Sequence, residues 1–592
     1  MTEAYKLKVK PVDFAVLKSA VFTIAREMGL NMERTARAPI YFSAHDFCTS
    51  IITLDGELVS LAEYIPVLVG ATPFAVKSVT KYFGGDINEG DVFLVNDPYT
   101  LDGGNQLADW CIVYPVFYKG AQVLWIANKA HQQDTGGGVP GGYNPNALDI
   151  YAEGLRIPPV RIFKNNEEIK DVVNLIMTNV RIPDMQHSDL LSMIGAARVA
   201  EKRLRALIDD YGKDLFELFL DDLLTYGEFL IREEISKIPN GTYRSEITGR
   251  EGASPIVCEI TIDGSEMTVD LSKSGPMSKE YINSPIANTY SAVYQAILQS
   301  IGKKLEIRCG GCYRPVKIKT KPGTIAHATF PVTHGNCTNY IAKQIIEAVW
   351  SALAQVIPEQ VPAGWGSIPY WIFSGMDPRR GEGYGSPDFQ ACATGAGAVW
   401  GVDGWSTNGP VICSGTLWYP EIEVVEGLYP IFWERWEWAQ DSGAPGKWRG
   451  GLGVHNEWVV DSGSEPVFLG YGADPFDYVP APAIAGGKMP SPNRKELQFA
   501  NGERAGNEDV RNAKFYILQN GDRAIDFSQG GCGVGDPLER DPELVGKDVR
   551  DEVVSLESAF NDYGVVIKPV NLEVDIQETK KLREKLKKER PA

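Results

Sequence analysis

The segment 109–131, DWCIVYPVFYKGAQVLWIANKAH, constrains the fold of this 592-residue chain more than any other stretch. Two apolar runs flank Lys119-Gly120, which predicts a β-hairpin closed by a two-residue loop. Such a loop pairs Tyr118 with Ala121. Pairing carried outward along both arms then leaves Asp109 within one residue of lying opposite His131, with Cβ atoms about 5 Å apart. A carboxylate and an imidazole at that spacing either share a hydrogen bond or hold one divalent cation, and the residues alone leave both open. Gln106, three residues before Asp109, and Asp46, at the mouth of an earlier hairpin, are candidate oxygen ligands for such an ion. Asp134 and the loop TGGGVPGGYNPN follow His131, so this strand end is glycine-lined.

Elsewhere the pattern alternates between helix and strand. Phe14, Leu17, Val21, Ile24 and Met28 form one apolar stripe of a helix expected to stop near Gly29. CTSIITLDGELVSL reads as a hairpin around Asp55-Gly56. Residues 170–237 are helical in pattern, with Leu190, Ile194, Ala197 and Leu204 on one face. Strands return near Pro239-Asn240-Gly241, with a hairpin around Asp263-Gly264, and helices are expected over 289–302 and 340–356. From 364 to 453 Gly, Trp and Tyr abound without periodicity, which suits extended or polyproline-like segments. The expected organisation is an α+β domain over 1–237 that holds the hairpin, a β-rich, Gly/Trp-rich domain over 238–575, and a charged tail over 576–592, solvated or facing a partner.

A net charge of −19 opposes general binding to nucleic acid or anionic membranes. MTEAYKLKVKPVDF lacks an apolar signal core and no run of some 20 apolar residues occurs, so the chain reads as cytoplasmic and unanchored. Nine cysteines, an odd number, argue for reduced thiols over a disulfide framework. Among them Cys309-Gly-Gly-Cys312, followed by His334-Gly-Asn-Cys337, supplies four soft ligands for a structural zinc ion, or else buried thiols beside an unrelated histidine. There is no GxxxxGK[ST] loop, no GxGxxG opening a helix and no GxSxG elbow, so a standard phosphate cradle and a serine nucleophile are both missing.

The strings DFCTSIITLDGELVS, NDPYTLDGGNQLADW, ANKAHQQDTGGG, IYAEGLRIPPV, NSPIANTYSAVYQA, DSGAPGKWRGGLG and GDPLERDPELVGKDVRDEVVSLESA resemble the hydantoinase B family across nearly the whole chain. That family includes subunits of 5-oxoprolinase, N-methylhydantoinase, caprolactamase, acetone carboxylase and acetophenone carboxylase. The resemblance implies an α+β fold with sheets in a barrel-like arrangement, joined to glycine-rich polyproline-II-like segments. It implies hydantoinase A-like partner subunits that bind ATP, with small accessory subunits in some complexes. ATP would phosphorylate a carbonyl oxygen there, leaving the carbon-centred step to this chain. The family's metal motif usually reads His-x-x-Asp with a distant His; its matching positions are Gln106, Asp109 and His131, with Asp46 matching the aspartate of the first hairpin. Glutamine in place of the first histidine weakens the expected site for zinc or manganese.

Two features direct the first expectation toward carboxylation of an acetophenone-like aromatic ketone with bicarbonate. The weakened metal motif suits water activation poorly, and Trp365, Trp371, Trp400 and Trp405 offer aromatic walls. In that reaction Asp46, Asp109 and His131 would position a cation or move a proton. The second expectation is an ATP-dependent amidohydrolase opening a hydantoin, 5-oxoproline or lactam ring. The third is a non-catalytic scaffold for the ATP-binding chains.

Overall fold

The structure is a computed structural model that describes residues 5–62, 64–249, 252–471 and 483–589. The chain forms two compact units: one of residues 1–248, 253–349 and 416–420, the other of 249–252, 350–415 and 421–592.

The first unit is built on a seven-stranded sheet. Its strands are β1 (Phe47–Ile52), β2 (Leu58–Ala62), β3 (Val92–Val95), β4 (Asp109–Tyr118), β5 (Ala121–His131), β6 (Val160–Lys164) and β7 (Glu167–Glu168). Their order is β2-β1-β5-β4-β3-β6-β7, so the long hairpin lies at the centre. Helices Pro11–Thr35, Thr72–Phe83 and Pro183–Tyr211 pack against it. Residues of both parities along β1 and most of β4 are therefore buried, and these strands read as near-continuous apolar runs rather than alternating ones. The hairpin closes as expected, with Lys119 at φ 49° and Gly120 at φ 83°. The first helix runs past Gly29 to Thr35 because that glycine is a packing notch: a Cβ there would lie 2.1 Å from the Tyr64 ring.

The boundary expected at 237/238 falls inside this unit. A second sheet, β8 (Gly241–Ile247), β9 (Ile256–Asp263), β10 (Glu266–Asp270) and β11 (Val316–Lys319), in the order β11-β10-β9-β8, belongs to the same body. Arg232 of the helix Lys213–Ile235 pairs with Glu266 at 2.7 Å. Ser291 Oγ on the helix Ile286–Gln299 donates to Val67 O at 2.5 Å, and Gly70 leaves room for it. The second contact joins residues 224 apart in the chain, which local pattern does not reveal.

The second unit holds two further sheets. One is ordered β13-β12-β16-β19, from β12 (Trp371–Asp377), β13 (Glu382–Pro387), β16 (Val467–Tyr471) and β19 (Phe515–Leu518). The other is ordered β14-β15-β20-β17-β18, from β14 (Ile431–Trp438), β15 (Val454–Val460), β17 (Arg494–Gln498), β18 (Arg504–Ala505) and β20 (Arg523–Phe527). The α+β class holds. Each sheet has two edge strands, so among the described residues the architecture is one of open sheets and not the barrel-like one expected.

The glycine-rich segments of this unit lie outside strands and hydrogen-bond laterally. Gly395 N donates to Gln529 O (3.0 Å), Gly451 N to Ala396 O (2.9 Å), Gly531 N to Gly451 O (2.9 Å) and Cys532 N to Gly364 O (2.8 Å). The backbones approach so closely that a Cβ on Gly531 would fall 1.9 Å from Ala396 O. The tail forms the expected charged helix, Ile576–Glu589, but it is docked rather than solvated: Thr579 is buried, and Arg583 donates to Tyr563 O at 3.0 Å. Residues 590–592 of that expected tail lie outside the described part.

Candidate functional site

Strand register builds the site. β4 and β5 pair Tyr118 with Ala121 and Phe117 with Gln122, but then Val116 with Leu124, so Val123 is left over in a β-bulge. The one-residue shift brings Asp109 directly opposite His131. The imidazole Nδ1 lies 2.9 Å from Asp109 Oδ1, and both side chains are almost wholly buried. Asp46 stands on the other flank, where its carbonyl accepts from His131 N at 3.0 Å. Asp46, His131 and Asp109 thus form one row across three strands.

Asp109 is fully subscribed. Asn105 Nδ2 donates to its Oδ2 at 2.7 Å, and Gln106 Nε2 donates to its Oδ1 at 3.1 Å while lying 3.1 Å from His131 Nδ1. Gln106 is oriented by its other atom, since Oε1 accepts from Thr338 Oγ1 at 3.3 Å. An amide N–H therefore faces the position where a cation would need a lone pair. Among the described residues no group of three His, Cys, Asp or Glu side chains is placed to hold a metal. The set Asp46, Gln106, Asp109 and His131 does not fit a zinc or manganese ion, and no chemical step below passes through one.

The geometry instead makes an acid–base pair. Burial by itself lowers the His131 pKa, but the Asp109 hydrogen bond and the charges of Asp46 and Asp109 outweigh it and raise the value. Burial pushes Asp46 up to about 6, with Asp109 adding to the rise and His131 opposing it. Tyr143, from the glycine-rich loop, stacks on His131 with ring centroids 5.6 Å apart. That loop is tied down by Asp134, which accepts from Gly136 N and pairs with Arg181 at 2.9 Å.

The four residues expected to share a zinc ion separate into pairs. Cys309 Sγ donates to Leu223 O at 3.5 Å, and Cys312 Sγ lies 3.7 Å from Gly227 O, both on the helix Lys213–Ile235. A Cβ on Gly227 would come within 2.5 Å of Cys309 Sγ, so these thiols act as small packing groups against a helix notch. Cys337 Sγ instead donates to Asn105 O at 3.4 Å, and His334 N donates to Glu153 Oε1 at 2.8 Å. His334 and Cys337 thus belong with the acid–base pair, whereas Cys309 and Cys312 lie against another helix.

Several residues of this neighbourhood escaped sequence reasoning. Lys129, two positions before His131 and so on the same face, is fully buried between Cys48 and Cys111 with no hydrogen bond to Nζ. Asn105, Tyr143, Glu153 and Thr338 complete the surroundings. For Lys129 the period of two would have been enough; for Glu153 and Thr338 no local pattern exists. Of the tryptophans expected to wall a ketone site, Trp365 and Trp371 are buried, while Trp400 and Trp405 are 48% and 72% exposed.

The chain is thus a large α+β protein with a buried carboxylate–imidazole pair at the end of a long hairpin, an arrangement able to move a proton. The chain belongs to the Hydantoinase B/oxoprolinase family, whose profile matches residues 10–537. It is 36% identical over 568 residues to the caprolactamase subunit beta of Pseudomonas jessenii, covering 94% of this chain and 96% of that subunit. It is 27% identical to the acetophenone carboxylase delta subunit of Aromatoleum aromaticum, over 91% and 84% of the two chains. Among solved structures, the ATP-dependent caprolactamase from Pseudomonas jessenii aligns with a TM-score of 0.90 at 34% identity, over 98% of this chain and 100% of that one. These relatives are subunits of a caprolactamase, described as ATP-dependent, and of an acetophenone carboxylase. No described helix is long and apolar enough to cross a membrane.

Proposed function

We propose that this chain is the ring-opening subunit of an ATP-dependent cyclic-amide hydrolase, acting on a lactam beside a partner that binds and spends ATP. The observation that carries the reading is the 2.9 Å Asp109–His131 pair, a buried base around which no group of three metal-ligating side chains gathers among the described residues. The 36% identity to a caprolactamase subunit supports the lactam over the ketone expected first. The aromatic argument for the ketone weakens, since Trp400 and Trp405 are exposed and Trp371 is core, which leaves Trp365 of the four.

Asp109 accepts from Nδ1–H and so leaves Nε2 as the basic nitrogen. Nε2 takes a proton from water as the oxygen attacks a carbonyl carbon already activated by the partner. The C–N bond then breaks as the proton passes to the leaving nitrogen, and a second water hydrolyses the resulting acyl phosphate to give the open amino acid and inorganic phosphate. Asn105 and Gln106 hold the carboxylate in register for this work.

The test is to assemble the chain with its ATP-binding partner and supply ATP with a lactam, a hydantoin or 5-oxoproline, and in parallel a ketone with labelled bicarbonate. Ring opening without label incorporation supports the reading; label fixed into a keto acid overturns it. An Asp109→Ala complex that assembles and keeps full turnover would leave only a scaffold role.

A further inference from the structure

We propose that His334 contacts the amide group of the substrate, opposite the Asp109–His131 pair, on a turn that Glu153 holds in place. The inference rests on the lactam-opening reading and names a second substrate-facing residue for it.

His334 is fully buried, yet among the described residues neither Nδ1 nor Nε2 has a hydrogen-bond partner. Buried polar nitrogens are almost always paired, so an imidazole with both left open points to a partner that arrives from outside the chain. Its position supports that partner being substrate. Cys337 N donates to His334 O at 2.9 Å, so the two residues form one turn. Cys337 Sγ reaches Asn105 O at 3.4 Å, and Thr338 reaches Gln106 at 3.3 Å. Asn105 and Gln106 are the residues that hold Asp109. The turn carrying the open imidazole is therefore fastened to the shell of the acid–base pair.

Glu153 fixes this turn from behind. Its carboxyl accepts from His334 N at 2.8 and 3.0 Å and from Gly335 N at 2.6 Å, while its Oε2 lies 3.8 Å from His334 Nε2. Tyr99 meets the imidazole ring edge-on at a centroid distance of 5.7 Å. The backbone contacts and Tyr99 set the ring's place without using its nitrogens. Burial lowers the His334 pKa to about 4, so the ring is neutral near pH 7 and offers one donor and one acceptor. A secondary amide presents the complementary pair, N–H and C=O. This matches a cyclic amide better than a ketone, which has only an acceptor.

The experiment uses the assembled complex with ATP and a lactam. His334→Leu keeps the volume but removes both polar atoms, and is expected to lower kcat/KM on the order of 10²-fold. His334→Asn retains a donor and an acceptor and is expected to recover at least tenfold of that loss. Histidine-selective ¹³C NMR on the wild-type complex is expected to show the His334 ring signal moving when the lactam is added without ATP. A merely structural role predicts equal losses in Leu and Asn variants, tracking their melting temperatures, and no shift on lactam addition; that outcome overturns the inference. If the wild-type complex opens no lactam, hydantoin or 5-oxoproline, the functional reading falls and this inference falls with it. If the wild type turns over while His334→Leu matches it, this inference alone is overturned.

Discussion

Two fully buried polar clusters, one in each unit, show how differently this chain treats charge. In the second unit Lys495 Nζ lies 3.0 Å from Asp526 Oδ1 and 3.5 Å from the centre of the Trp371 ring. Its charge is met by an opposite charge and a ring face rather than by a well-directed hydrogen bond. Asp388 alongside accepts from Trp458 Nε1 and Asn456 Nδ2, both at 2.9 Å, and Trp433 Nε1 donates on to Asn456 at 2.8 Å. Lys495 Nζ and Asp526 Oδ1 lack a directed hydrogen bond, but each faces the other's opposite charge. Around Asp109 and His131, by contrast, Lys129 Nζ has neither a hydrogen bond nor an ion pair among the described residues, and both nitrogens of His334 lack a hydrogen bond. Burial alone does not mark a working site; unmet polar atoms beside a polarised imidazole do.

The comparison breaks most visibly at Asp109. Asp109→Ala is expected to cut ring opening roughly 10³-fold per folded molecule in the assembled complex, with a lower melting temperature because Asn105, Gln106 and His131 lose their partner, read by steady-state turnover and calorimetry. Lys495→Met is expected to lower stability alone. It strands Asp526 and Asp388 in the core, costing about 3 kcal/mol by denaturant unfolding and sparing turnover per folded molecule. A large loss of turnover there would mean that both clusters are functional.

The pH dependence sharpens the contrast. His131 sits above its ordinary value, so the imidazolium contact stabilises the fold below about pH 6.5 and fades as pH rises through the folded value. Catalysis by the neutral ring runs the other way, with kcat/KM climbing over that same interval. Asp109→Asn removes the main raising influence and is expected to move the acid limb of the profile to lower pH. An unmoved limb would mean another group titrates. In the second unit burial raises Asp526 and lowers Lys495, so that pair affects unfolding curves near neutrality without touching this limb.

The smallest effect is expected at Cys309. Cys309→Ala loses one weak thiol contact to the Leu223 carbonyl, about 1 kcal/mol, with no change in the zinc content of the purified chain. A variant that shed stoichiometric zinc would restore the four-ligand site expected from spacing.

The hairpin was legible in the sequence because a tight turn propagates register outward, and it placed Asp109 within one residue of His131. The bulge was not legible, since Val123 looks like any other apolar strand residue. The ligand pattern 309–337 was visible but wrongly grouped, because spacing along a chain does not say which helix each cysteine faces. Glu153 and Thr338 reach the site from segments nearly 200 residues apart, and no periodicity connects them. The unit boundary was misplaced for the same reason: contacts such as Ser245 Oγ to Ala348 O, 2.6 Å, are invisible to local pattern.

The bulge in the long hairpin has a counterintuitive effect on how the gene tolerates change. β5 contains one residue more than its ladder with β4 uses, so excising Val123 should leave the imidazole facing the carboxylate. Shortening the opposite arm by one would instead slide Ala130 into that place and turn the imidazole to the other side of the sheet. A lesion usually counted as severe is therefore forgiven on one strand, while its mirror image on the other erases the chemistry.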